Sequence, residues 1–175
     1  EVIVSDNGSV DGSIEMVNTS FPQVILIENN ANLGFGTANN RGLKVAKGKY
    51  IFYLNSDTIL LNNAIKYFFD YWENSTEKQK IGALGCNLVD ENMKITHSYE
   101  KFPDLKKIRQ NTTFDFLRVV RLTLFFFLPE CFSFRSKKSV EEKKSFSGQV
   151  DYIVGADLFL RNDDYAKFDE KYFLY

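Results

Sequence analysis

Histidine and cysteine are nearly missing from this chain of 175 residues, which has one His and two Cys. Cys86 and Cys131 show no C-x-x-C spacing, so neither a zinc site nor a disulfide framework is indicated, and a reducing cytosol is the default compartment. A surface or hydrogen-bonding role, rather than catalysis, is expected of His97. Net charge is almost absent as well: 22 basic and 23 acidic residues leave -1, with an isoelectric point near 5.9. Nucleic-acid binding through a basic footprint is therefore not expected. No signal-peptide pattern opens the sequence. No glycine is followed by Lys and Ser or Thr at the P-loop spacing.

What the chain does have is an apolar run that ends in polar groups: Tyr50-Ile51-Phe52-Tyr53-Leu54-Asn55-Ser56-Asp57. A run this apolar reads as a strand covered on both faces, as in a parallel α/β sheet, and such sheets bind ligands beyond the carboxyl ends of their strands. Alternation along an extended chain points Asn55 and Asp57 the same way. A hard divalent cation would suit Asp57 assisted by Asn55, with a substrate diphosphate completing its oxygen shell. The alternative is that both residues make a turn and cap the next helix.

A second strand ends in the same manner. Glu1-Val2-Ile3-Val4-Ser5 runs into the turn Asp6-Asn7-Gly8-Ser9-Val10-Asp11-Gly12-Ser13, and a helix is expected next, with Asp11 or Ser13 as N-cap. A strand over 24–28, a loop over 29–36, a helix over about 37–46 stopped by Gly48, and the strand at 50 complete a βαβαβ unit. The loop contains Gly34-Phe35-Gly36, but Asn39 stands where a dinucleotide fingerprint has its third glycine, so a dehydrogenase reading is weak. The two glycines also suit an ordinary tight turn. Exposed asparagines at that helix start could hydrogen-bond a phosphate or ribose.

Taken together, Asp6-Asn7-Gly8-Ser9 with Asp11-Gly12-Ser13, Asn32-Leu33-Gly34-Phe35, Asn40, Gly42, Ala46, Gly48 and Leu54-Asn55-Ser56-Asp57 resemble the successive signatures of family-two inverting glycosyltransferases. The likeness is strongest to the rhamnosyltransferase-like branch, which builds cell-surface polysaccharide. Gly155-Ala156-Asp157-Leu158-Phe159-Leu160-Arg161 and the segment from Phe168 to the end at Tyr175 extend it.

This resemblance implies an α/β GT-A-like fold, Rossmann-like, with a mostly parallel sheet and helices on both faces. It also implies a single catalytic domain, with a nucleotide-sugar half over about 1–87 and an acceptor-side half over about 88–175. It assigns donor binding to Asp6, Ser9, Asn32, Gly34, Asn40, Asn55, Asp57, Gly155, Ala156 and Asp157, with Asp6 at the nucleotide base and 155–157 bordering the donor sugar. Asn55 and Asp57 would stand for the metal-binding D-x-D element, holding Mn or Mg, with Asn replacing the first aspartate. The donor would be a nucleotide-diphosphate sugar and the acceptor a saccharide or a lipid-linked saccharide. The family's base is expected beyond Tyr175, and the usual first strand before Glu1, so the chain reads as truncated at both ends and inactive alone. The rival readings are a sugar-1-phosphate nucleotidyltransferase and a catalytically silent nucleotide-sugar-binding module.

Elsewhere, apolar residues at 64, 65, 68, 69 and 72 have the spacing of a covering helix. Residues 81–87 read as a further strand, 88–96 as a hairpin around Asp90-Glu91-Asn92, and Asp163 and Asp164 as helix caps. Residues 114–134 are dense in Phe and Leu, yet too short for the roughly 20 residues that span a bilayer. They suit a membrane-interface helix at the inner face of the cytoplasmic membrane, an internal helix, or a contact with a second subunit in a homodimer. A basic, polar loop follows over 133–147.

Overall fold

A computed structural model describes residues 1–102 and 146–173. The Phe- and Leu-rich stretch at 114–134 lies outside the described residues, as do Cys131 and nearly all of the loop after it. Contacts divide the chain into two units, Glu1–Cys86 with Val154–Tyr175, and Asn87–Ile153.

The first unit opens with the βαβαβ order read from the sequence: β1 (Ile3–Asp6), α1 (Ser13–Ser20), β2 (Ile25–Glu28), α2 (Phe35–Val45) and β3 (Tyr50–Leu54). β1 and β2 pair in parallel, Ile3 opposite Ile25 and Asp6 opposite Glu28. α1 starts from Gly12, whose left-handed backbone (φ 88°) takes the N-cap place expected of Asp11 or Ser13. Asp11 instead braces the first turn, its Oδ1 accepting the Ser13 amide at 3.1 Å and the Ser13 hydroxyl at 2.6 Å. α2 ends at Val45, and Gly48 does not stop it. The amides of Lys47 and Gly48 donate to Glu1 Oε1, at 2.6 and 2.9 Å.

β3 takes a partner that no local pattern announces. β6 (Asp157–Arg161) returns antiparallel to it, Tyr50 opposite Arg161 and Leu54 opposite Asp157. On the other side of β6 the strand expected over 81–87 is reduced to one bridge, in which Leu84 and Phe159 exchange both main-chain hydrogen bonds at 2.9 Å. Gly82 and Gly85 flank that bridge, and glycine weakens a strand interior.

α3 (Ala64–Asn74) covers this sheet. Asn63 caps it by accepting the Lys66 amide at 3.1 Å. Ala64, Phe68 and Trp72 repeat every fourth residue and form the core with Phe159, against which Tyr50, Phe52, Ile81, Leu84 and Cys86 pack. Only part of the predicted apolar stripe is buried, because Ile65 and Phe69 lie on the flank of α3 that is 48% and 45% exposed. Phe159 is the hub, with ring centroids 5.0 Å from Tyr50, 5.4 Å from Phe68 and 6.0 Å from Trp72. Full burial of each such side chain contributes about 1.5–3 kcal/mol.

In the second unit the predicted hairpin is present. Val89 bridges Ile95, and Asp90 Oδ1 accepts the amides of Asn92 and Lys94 at 2.8 and 3.0 Å. β4 (Tyr99–Glu100) pairs antiparallel with β5 (Tyr152–Ile153). Among the described residues no helix is long and apolar enough to cross a membrane.

Candidate functional site

The carboxyl end of β1 is built around Asp6. Its Oδ2 accepts the amides of Gly8 at 2.8 Å and Ser9 at 2.9 Å, folding the turn back on the strand end. The Ser9 side chain, followed by these amides, holds the Asp6 carboxyl below the usual carboxylate range. The group is thus fixed and ionised at neutral pH. Gly8 has φ 84°, and a Cβ there would meet the Ala31 main chain at 3.0 Å, so both conformation and closeness require glycine.

A line of asparagines joins this turn to the glycine loop. Asn7 Nδ2 donates to Asn32 Oδ1 at 3.4 Å and to Gly34 O at 3.3 Å, while Asn32 Oδ1 also accepts the Gly34 amide at 3.0 Å. Buried Asn29 donates to Asn7 Oδ1 at 3.1 Å and to Ser5 Oγ at 3.0 Å, and accepts from Arg41 at 2.9 Å. Asn7, Asn29 and Arg41 have no site role in the sequence reading, although Asn7 stands inside one of its motifs. Buried Asn29 is tolerated because its carboxamide is hydrogen-bonded on both ends.

Asn40 was expected among exposed groups that meet a phosphate or ribose. It is 2% exposed, and its carboxamide is engaged by Phe168 and Glu170 on a later segment. Asp57 is exposed, as a ligand-seeking carboxylate would be. Asn55, two residues earlier, is half-buried, and its main chain is pinned. Its amide donates to Ala156 O at 3.0 Å, and its carbonyl accepts from the Thr58 hydroxyl at 2.6 Å and the Thr58 amide at 3.2 Å. The element after β3 is thus both a turn and a strand end fixed against the start of β6.

Gly155 is exposed, and among the described residues nothing lies where a side chain on it would strike. Asp157 faces the interior, 1% exposed, and its Oδ2 accepts from the Cys86 amide at 2.6 Å and the Cys86 thiol at 2.8 Å. Among the described residues its Oδ1 has no hydrogen-bond partner. Burial raises the Asp157 carboxyl, and burial together with Asp157 pushes the Cys86 thiol up to about 12. Where a role bordering the donor sugar was expected, Asp157 has a tie to Cys86.

The residues after β3 fit a hard cation in kind: a carboxylate and a carboxamide, oxygen donors both, on a strand end with Asp57 in solvent. Among the described residues no group of three or more His, Cys, Asp or Glu could hold a metal by itself. Any cation here would therefore need substrate oxygens or water in its shell.

A parallel βαβ pair with a fixed carboxylate at one strand end, and a third strand ending in Asn55-Ser56-Asp57, defines an α/β protein of the kind that takes ligands at strand carboxyl ends. Residues 1–142 match Glycosyl transferase family 2, and the chain belongs to this family. The family's fold is GT-A, in agreement with the parallel strands and helices described above. An uncharacterized glycosyltransferase of Methanocaldococcus jannaschii is 30% identical over 113 residues, 61% of this chain and 39% of that protein. A UDP-Glc:alpha-D-GlcNAc-diphosphoundecaprenol beta-1,3-glucosyltransferase of Escherichia coli is 36% identical over 89 residues, 45% of this chain and 36% of its own length. A poly(ribitol-phosphate) beta-glucosyltransferase of Bacillus spizizenii is 28% identical over 88 residues, 48% of this chain and 14% of its own length. The chain spans well under half the length of each of these relatives.

Proposed function

We propose that this chain is the nucleotide-sugar-binding part of a glycosyltransferase that moves a hexosyl or deoxyhexosyl group, with inversion, from a nucleotide-diphosphate sugar to a saccharide or lipid-linked acceptor in cell-surface polysaccharide synthesis. The observation that carries the reading is the pinned turn after β3, which sets Asn55 against Ala156 and leaves Asp57 in solvent in a family 2 chain. The glucosyltransferase names of two relatives support a sugar donor and an undecaprenol-linked or polymeric acceptor. The rhamnosyltransferase-like motif order keeps a deoxyhexose among the donors.

In this reading Asp57, assisted by Asn55, holds Mn or Mg against the donor diphosphate. When bound, the cation neutralises charge that develops on the departing nucleoside diphosphate. Asp6 contacts the nucleotide base. Its carboxylate, already fixed by two main-chain donors, accepts an imino hydrogen of uracil or thymine without reorganising. Ser9, Asn32 and Gly34 form the wall beside it, and Gly155 and Ala156 border the sugar. Membrane contact through 114–134 remains part of the proposal and rests on the apolar pattern of that stretch.

The test is calorimetric titration with UDP-glucose and with dTDP-rhamnose, with and without manganese. Asp57→Ala should abolish manganese-dependent binding. Because Asp57 is exposed, the substitution should change stability by no more than about 0.5 kcal/mol. Unchanged manganese dependence in that variant refutes the metal assignment.

A further inference from the structure

Asn40 lies on the interior side of α2, 2% exposed, where an unsatisfied carboxamide would be costly. It is satisfied by a segment far along the chain. Its Nδ2 donates to Phe168 O at 2.8 Å and Glu170 Oε1 at 2.9 Å, and its Oδ1 accepts the Phe168 amide at 2.9 Å. One side chain thus supplies Phe168 with both hydrogen bonds that a neighbouring strand would give.

The rest of this strap, residues 164–173, is seated on the same part of the fold. The Tyr53 hydroxyl donates to Ala166 O at 2.8 Å. The Phe168 ring lies edge-on to Phe35 at 5.4 Å and to Tyr53 at 5.1 Å. A Cβ on Gly36 would come within 3.0 Å of Phe168 Cβ, and one on Gly34 within 2.6 Å of the Phe173 ring. The smallness of Gly34 and Gly36 therefore admits two phenylalanines of the strap. Yet the other side of this loop, through Asn32 and the Gly34 carbonyl, holds Asn7 next to Asp6.

We propose that Asn40 is a positioning residue: it clips the 164–173 strap onto the glycine loop, and the seated strap holds Asn32 and Gly34 in register with the Asp6 turn for a nucleotide-diphosphate donor. This rests on the donor-site reading given above. The clip acts on affinity for the nucleotide without touching it. Its outer half, the Asn40–Glu170 contact, ends on an exposed glutamate and can be altered without opening the core.

The experiment uses the full chain, with manganese and uridine diphosphate as probe, at a temperature where Trp72 fluorescence reports every variant folded. Amide exchange at Phe168 reads the clip, and calorimetry reads the nucleotide. Asn40→Asp loses both donors and sets a negative charge against Glu170. It should speed exchange and weaken uridine diphosphate about tenfold, the equivalent of one hydrogen bond. Glu170→Ala, which leaves the buried part of the clip intact, should show a smaller loss in the same direction. Asn40→Asp with Glu170→Gln restores the contact with donor and acceptor exchanged, and should recover part of the affinity. Wild-type affinity in both single variants, with Phe168 exchange accelerated, overturns the positioning role alone. An unsubstituted protein that binds no uridine diphosphate overturns the donor-site reading, and the positioning role with it.

Discussion

Truncating Phe159 to alanine is the sharpest test of how the site is supported. Phe159 is 3% exposed and meets Tyr50, Phe52, Phe68 and Trp72 with centroids between 5.0 and 6.3 Å. Removing a buried phenylalanine costs about 3–5 kcal/mol through lost transfer and the cavity left behind. Each well-placed aromatic pair carries about 0.5–1.5 kcal/mol beyond its area. The upper part of that range is expected here, because four rings lose a partner at once. Domains of this size are stable by only about 5–15 kcal/mol, so the loss should be a large fraction of the total. Phe159→Leu keeps most of the volume and should cost far less. The assay is urea unfolding followed through Trp72, the one tryptophan, which is 2% exposed and 6.0 Å from Phe159. A midpoint shift equivalent to less than about 1 kcal/mol for Phe159→Ala would show that the α3–β6 contact is not the core on which Asn55 rests.

Two further outcomes are expected. Tyr53→Phe removes the donor to the Ala166 carbonyl in a buried place and should destabilise by about 1–3 kcal/mol. Burial holds the Tyr53 phenol up at about 12, so that loss should be the same at about pH 6 and pH 9, and a pH-dependent difference in urea midpoint would contradict it. Asp157 has its carboxyl raised on folding by burial. Its charge therefore opposes folding above the ordinary carboxylate value, and the opposition fades as pH falls below it. Asp157→Asn should accordingly gain thermal stability relative to wild type at neutral pH, with the gain shrinking in acid. A gain that grows in acid would refute the argument.

The βαβαβ order was legible in the sequence because each element has its own local signature: apolar runs at 50–54 and 25–28, and a periodic stripe at 64–72. The glycine loop and the acidic strand end at Asp6 were legible for the same reason. β6 as the antiparallel partner of β3 was not, since pairing at that separation leaves no trace in either segment alone. The asparagines are the least legible residues for a physical reason. A carboxamide that can meet a ligand has the same composition as one that fastens two chain segments, and only burial separates them. Asn40 is buried and fastens the segment at Phe168, and the Asp157 carboxylate is buried against Cys86, whereas Asp57 is exposed.

The pairing of β3 with β6 also fixes an order of assembly. The amide of Asn55 waits for the carbonyl of Ala156, about a hundred residues later in synthesis. The β1–α1–β2 unit closes over a short stretch and can form early, while the β3–β6 loop must meet a larger entropic cost before any contact repays it. On the ribosome the strand carrying Tyr50–Leu54 is thus made long before its neighbour, an apolar edge that needs shielding until residue 157 emerges. The turn proposed to hold the cation is then among the last parts of the domain to acquire its shape.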